Sequence, residues 1–472
     1  NLHRPNWEQH YFPERAVHRG KYSFGEMQSL QPEWDDLRSW NHITGLRNPG
    51  EVRLGLRYLH ARGVGGTSLR FTGEAHRLNP LAMQMKSRFG VSADWPISYE
   101  ELEPYYEIAE RILGVSGSNE DSLRPRSNPL PLPAHAPSYT SRKIISATRE
   151  LGLQWAANPV AIPSQSYDGR PPCNYCGNCN RGCPRTDKGS ADVTFIRKAV
   201  ASGNCTIQTD TLVTRINAGA QDRVESVEYI DALGSRGKIS TRALVVAAGA
   251  IETPRLLLLA ANNHAPDGLA NESGQVGKNF METLYWFSNG LHPENLGSYR
   301  GLPQDIICWD YNSPDTIPGV IGGCRFYPGT AEQNLLGPIN YARRVVKGWG
   351  RTHKQQMRGM FGHAVSIGAI GECLTNEKSF IDLDPATNDD ICLPVARINT
   401  FLDENRLRSI SFMASKCRQS LTANGVSQIF EEKGTYVDFT STHVFGTCRM
   451  GNIREHQVVS RHCIPHRRGI LL

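Results

Sequence analysis

The spacing of apolar positions changes period several times along the chain. Tyr105, Ile108, Ala109 and Ile112 fall at i, i+3, i+4 and i+7. That spacing predicts a helix with one apolar face, with Pro104 near its start and Gly114 past its end. A Pro- and Ser-rich passage, Arg124 to Ser138, reads as an extended loop before a second amphipathic helix ending near Gly152. A helix around Phe195–Ser202 is expected to stop at Gly203. Short β-like runs follow at Cys205–Gln208, Thr211–Ile216, Val224–Ile230 and Ala243–Ala247. The last passes through Ala248-Gly249-Ala250 into a helix over about Glu252–Ala261, a unit that sets a helix N-terminus beside a ligand phosphate but is common in any α/β domain. Gly319 to Asp390 is irregular and mixed. Phe380–Leu383 and Leu393–Asn399 read as a strand pair around Asn388-Asp389-Asp390. Leu407, Ile410, Ala414, Cys417 and Leu421 stripe a long helix, about Glu404–Asn424, before Gly425.

Composition narrows the class without naming a function. The 472 residues are 39% hydrophobic and carry 52 basic against 46 acidic side chains, a net charge of +6. Dispersed and mild, that charge argues against nucleic acid or an anionic membrane surface. Ala243–Ala261, the longest apolar stretch, is broken by Glu252, Thr253, Pro254 and Arg255, so no transmembrane segment is expected. The chain opens on NLHRPNWEQH and closes on HRRGILL, and is expected to be processed or cut from something longer.

Twelve cysteines in this length do not make a disulfide scaffold. Four of them, Cys173, Cys176, Cys179 and Cys183, precede Pro184 in a C-x2-C-x2-C-x3-C-P run, the spacing of a bacterial ferredoxin segment. Three readings stay open for it: an iron–sulfur cluster, a structural zinc or other metal, and unligated or paired thiols. The dispersed cysteines read as small buried hydrophobes.

Three further motifs carry candidate chemistry. Gly63-Val64-Gly65-Gly66-Thr67-Ser68 lets backbone approach an anion, though it could serve as an ordinary tight turn. Val245 to Leu257 reads VVAAGAIETPRLL, by default a buried strand feeding a helix. His443-Val444-Phe445-Gly446-Thr447-Cys448-Arg449-Met450-Gly451 holds a histidine that, in isolation, reads as structural.

Taken in this order, and joined by Glu100–Tyr106 and Gly274–Asn279, the motifs resemble the glucose–methanol–choline (GMC) family of flavoprotein oxidoreductases. The resemblance covers about Arg53 to the C-terminus. It implies an α/β chain, α+β overall: a Rossmann-like FAD-binding domain lacking its first βαβ unit, plus a substrate domain with an antiparallel sheet and helices. The expected organisation is a partial FAD-binding domain over 1–117, a helical and cysteine-rich insertion over 118–189, and the FAD-binding domain continued over 190–285. A substrate-binding domain over 286–440 and the start of a C-terminal segment over 441–472 follow.

The resemblance also implies oxidation of an alcohol or sugar, with His443 as general base and FAD contacts at Gly65, Gly66, Thr67, Val213, Ala248 and Gly249. Arg70 stands where some relatives place a flavin-linked histidine, so the FAD is expected to be non-covalent. The family's dinucleotide fingerprint and second catalytic residue are expected to lie beyond the two ends, where any targeting signal would also sit. Some family members relay electrons through a cluster like the one the cysteine run suggests. A partner protein or quinone would then be the acceptor; without a cluster, oxygen or a small dye-like molecule. The competing reading is a non-catalytic metal-binding or electron-transfer protein on the same scaffold.

Overall fold

The computed structural model describes residues 22–55, 60–219, 223–440, 442–465 and 470–471. Residues 56–59 and parts of both termini lie outside the described residues. The fold is mixed helix and sheet. Its centre is an eight-stranded sheet in the spatial order Leu46–Arg47, Trp40–Asn41, Gln428–Gly434, Leu284–Leu291, Ala364–Gly371, Cys324–Pro328, Ile306–Cys308 and Trp155–Ala157. Every neighbouring pair in it is antiparallel.

All eight residues of Leu284–Leu291 are buried, because both faces of the sheet are covered. On one face lies the helix Glu404–Ala423, started by Asp403, whose side chain accepts from the Arg406 amide. The apolar stripe expected from the sequence, Leu407, Ile410, Ala414, Cys417 and Leu421, packs there with Leu284, Trp286, Phe326 and Ile367. Successive strand residues point to opposite faces. Tyr285, Phe287 and Tyr327 therefore form a separate aromatic cluster on the far side.

A second unit gathers the strand Val224–Ile230, found with the expected bounds, between Leu212–Ala218 and Arg236–Ser240 in an antiparallel sheet. Ile216 and Val227 share a core with Val246 and Leu257 of the strand–helix motif. The strand there is only Leu244–Val245, parallel to Ile470–Leu471, and the helix begins at Gly249 rather than near Glu252. The pair Phe380–Asn388 and Pro394–Asn399 is antiparallel as expected.

Two expectations fail. Cys205–Gln208 forms no strand; its residues are exposed and pair with nothing in a sheet. The helix Tyr99–Leu113 exists, with a Ser98–Glu101 capping box, but buries the other face. Tyr105 and Ile108 stand 67% and 48% exposed. The helix instead docks through Glu110, which takes two bonds from the buried Arg77 guanidinium at 2.8 and 2.9 Å. A buried bidentate ion pair outweighs the apolar stripe as the docking contact.

Candidate active site

The histidine motif and the strand–helix motif are joined by hydrogen bonds, and the glycine-rich loop is bonded to the segment at Ala191. Thr447 donates its hydroxyl to the Ala250 carbonyl at 2.7 Å, tying the histidine motif to the turn that starts the Gly249–Leu259 helix. The Gly277 amide donates to the Thr447 carbonyl at 2.9 Å, and Phe445 and Met281 exchange backbone bonds at 3.0 and 3.1 Å. In the first motif the Ser68 hydroxyl donates to the Gly65 carbonyl at 2.6 Å and accepts from the Ala191 amide at 2.9 Å.

Two glycines of these segments leave open space beside the backbone. Gly66 and Gly249 take φ of +56° and +82°, and an added Cβ at either would meet nothing within 4 Å. Backbone amides there stay open to close approach. Thr67 is exposed, Val213 presents an apolar side chain 39% exposed, and Ala248 is fixed by a 3.1 Å bond from its amide to the Thr253 hydroxyl. Val213 sits on the three-stranded sheet, in a different unit from His443.

Four separated segments meet at His443. Its amide donates to the Thr283 hydroxyl at 2.8 Å, where the Leu284–Leu291 strand begins. The imidazole is reachable by solvent, yet enough protein surrounds it for desolvation to lower its pKa. Arg325 adds to that lowering and Glu74 opposes it.

Arg325 comes from the Cys324–Pro328 strand, where Cys324 and Phe326 enter the core and Arg325 faces away from it. It binds Glu74 in a fork, 2.6 Å at each nitrogen. Burial alone would raise the Glu74 pKa, but Arg325, His76 and hydrogen bonds hold it at about 2. Asn158 donates to Glu74 at 3.1 Å and meets His76 Nε2 at 2.6 Å. Burial lowers His76 to about 4, against the pull of Glu74, so it is neutral near pH 7. Glu332, in electrostatic reach of Glu74, Arg325 and Lys433, is pushed up to about 7 by burial and by Glu74. Glu74, Arg325 and Glu332 belong to no motif. The alternation of Cys324-Arg325-Phe326-Tyr327 was the one sequence signal that two polar side chains share a sheet face.

The cysteine run lies beside the first motif. Lys188, fully buried, donates to the carbonyls of Leu69, Phe71 and Cys179 at 3.1, 2.8 and 2.8 Å. Burial lowers its pKa to about 8. The thiols do not close on a common point. Among the described residues, no group of three or more His, Cys, Asp or Glu side chains is arranged to hold a metal ion. The candidate iron–sulfur site at Cys173, Cys176, Cys179 and Cys183 is therefore not supported. The physical reason is packing: Cys179 sits in an apolar cluster with Val160, Ile162 and Leu302, and Cys173 packs against it. Burial pushes Cys173 up to about 11 and Cys179 higher still, which disfavours the thiolates that ligate metal. A cavity of about 340 Å³, lined by Tyr139, Tyr175, Arg300 and Asp305 among others, does not include His443 in its lining.

The family model for GMC oxidoreductase matches residues 57–284. The chain is 29% identical to the 2-methyl-1,2-propanediol dehydrogenase of Mycolicibacterium austroafricanum over 404 residues, 84% of this chain and 73% of that protein. It is 28% identical to the fructose dehydrogenase large subunit of Gluconobacter japonicus, covering 86% and 74%. With the gluconate 2-dehydrogenase flavoprotein of Pantoea cypripedii the identity is 25%, covering 95% and 82%. The chain belongs to the GMC oxidoreductase family. A formate oxidase of Aspergillus oryzae RIB40 shares the fold, with a TM-score of 0.58 at 12% identity over 94% of this chain and 85% of that one. The chain is thus an FAD-dependent oxidoreductase. The named activities of its relatives decide against a non-catalytic scaffold. No helix among the described residues is long and apolar enough to cross a membrane.

Proposed function

We propose that this GMC oxidoreductase oxidises a CH–OH group of a polyol, sugar or related alcohol, with His443 as general base. The observation that carries the reading is the hydrogen bond that ties the His443 motif, through Thr447, to the turn at Ala248–Ala250, beside an imidazole whose pKa burial lowers so that it is neutral near pH 7. A neutral imidazole can take the substrate hydroxyl proton as the alcohol is oxidised. Thr283 fixes the backbone that carries it. Gly65, Gly66, Thr67, Val213, Ala248 and Gly249 would hold FAD non-covalently; when bound, the flavin supplies the two-electron oxidant. The substrates in the relatives' names, a diol, a ketose and a sugar acid, support a hydroxylated small molecule.

The test is His443→Ala, read as the rate of anaerobic flavin reduction by alcohol. Loss of a general base lowers such a rate by roughly 10²–10⁴-fold, with flavin content near that of the parent enzyme. An unchanged rate would assign the base elsewhere.

A further inference from the structure

We propose that the outward face of the helix Gly350–Met360, with Trp349 at its head, is a docking surface for an anionic lipid bilayer. The proposal is independent of the alcohol-oxidation reading, because no residue of this face belongs to the His443 motif or to the segments assigned to FAD.

Charge, counted locally, points to it. Over the whole chain basic and acidic side chains nearly balance, which by itself argues against an anionic surface. The fold gathers what that balance hides. Between Glu332 and Glu372 there is no acidic residue, while six arginines and lysines fall in the same stretch. Arg344 is matched by Glu431. The other five, Arg343, Lys347, Arg351, Lys354 and Arg358, are exposed, and none of their side chains has an ion-pair or hydrogen-bond partner among the described residues. Elsewhere on the surface arginines are compensated, as Arg197 is by Asp168, Arg397 by Asp382 and Arg408 by Glu404. Uncompensated cations gathered in one stretch repel one another, and a surface of negative charge relieves that repulsion.

The helix fixes their direction. Met357, Met360 and Phe361 pack against the core at Tyr341, Val346 and Phe430. At 3.6 residues per turn, Arg351, Lys354 and Arg358 share the opposite face, and all three are exposed. Trp349 caps the helix in extended backbone, φ −153°, between Gly348 and Gly350, which are left-handed at φ +98° and +72°. An added Cβ at either glycine meets nothing within 4 Å, and the indole stands 89% exposed. An indole held out in water beside cations matches a membrane–water interface, where the ring enters the headgroup level and Lys and Arg meet anionic lipid. A protein partner would need a shaped pocket for that ring, and the centres of protein interfaces are depleted of lysine. A bilayer receives a protruding side chain without one.

The experiment sediments the holoenzyme with vesicles of phosphatidylcholine, alone or mixed with an equal amount of phosphatidylglycerol. The parent should bind the mixed vesicles only, and less tightly as salt is raised. Arg351→Gln, Lys354→Gln and Arg358→Gln combined should bind roughly 100-fold more weakly, at about fivefold per charge. Its flavin reduction by alcohol without vesicles, and its melting temperature, should stay parental. Trp349→Ala should also weaken binding to the mixed vesicles, but with the salt dependence of the parent. A comparison variant removes the same charge from Arg236, Lys238 and Arg242, exposed on and beside the Arg236–Ser240 strand, and should bind as the parent does. The proposal is overturned if the parent ignores the mixed vesicles, if the triple helix variant or Trp349→Ala binds them as the parent does, or if the comparison variant loses as much. Retention on poly-glutamate without binding to either vesicle would give the face to an acidic protein, and overturns it too. Should the triple helix variant fail to fold, Trp349→Ala and the salt dependence of the parent decide.

Discussion

His443 is tuned by neighbours of opposite sign, and the tuning has a measurable consequence. Desolvation and Arg325 lower its pKa, while Glu74 raises it. A protonated imidazole cannot accept the substrate proton, so activity is lost as pH falls through the pKa of the residue. Because that value is lowered, the acid limb of kcat/KM should lie below the ordinary imidazole value of about 6.5. 1-Propanol, with a single hydroxyl, serves as a simple substrate for the profile. Glu74→Gln removes the one group that favours the charged imidazole and leaves Arg325 unopposed. The limb should then move to still lower pH. A limb that moves up would mean Glu74 acts on some other base.

The turn that carries His443 depends on a position where only glycine fits. Gly446 has φ +100°, and an added Cβ would lie 2.0 Å from the Asn279 carbonyl oxygen. Backbone cannot yield as a side chain would, and the left-handed conformation alone costs about 1–3 kcal/mol for another residue. Gly446→Ala should lower the melting temperature and strip flavin, because Phe445 and Thr447 on either side hold the links to Met281 and Ala250. Retained flavin and an unshifted melting temperature would show that the turn can relax. This element was legible as a motif, as were the Glu404–Ala423 helix, with its strong period, and the strand Val224–Ile230. The centre of the large sheet was not. Leu284–Leu291 is buried on both faces and shows no alternation to read. In Tyr99–Leu113 the period was right and the buried face wrong, since docking through Arg77 and Glu110 leaves no apolar trace. Glu74 and Arg325 are single polar residues at no fixed spacing; only their tertiary pairing over 251 positions marks them as neighbours.

At the scale of the whole molecule, one buried ion pair joins the distant segments on which the active site stands. Arg53 and Glu282, both almost fully buried, form a fork at 3.1 and 2.8 Å across 229 positions. Arg53 also donates to the Thr435 carbonyl at 2.9 Å, and the Thr400 hydroxyl donates to Glu282. Four stretches of chain are thus fastened at one point, and Glu282 directly precedes Thr283, the residue that holds the His443 amide. Removing one partner strands the other charge in a dry site, at a cost of about 3–5 kcal/mol. Arg53→Met and Glu282→Leu should therefore each lower the melting temperature sharply. The double variant should lose much less than the sum, because it leaves no uncompensated charge, with a coupling on the order of 1–3 kcal/mol. It still leaves Thr435 and Thr400 short of a partner, so it should remain less stable than the parent. The decisive comparison is kinetic. If the pair sets the position of Thr283, the double variant should reduce its flavin more slowly than the parent even where it is fully folded, with the defect in kcat rather than in the pH of the acid limb. Additive losses of stability would show that the two charges are independent. A folded double variant with parental kcat would separate the stability of the fold from the placement of His443.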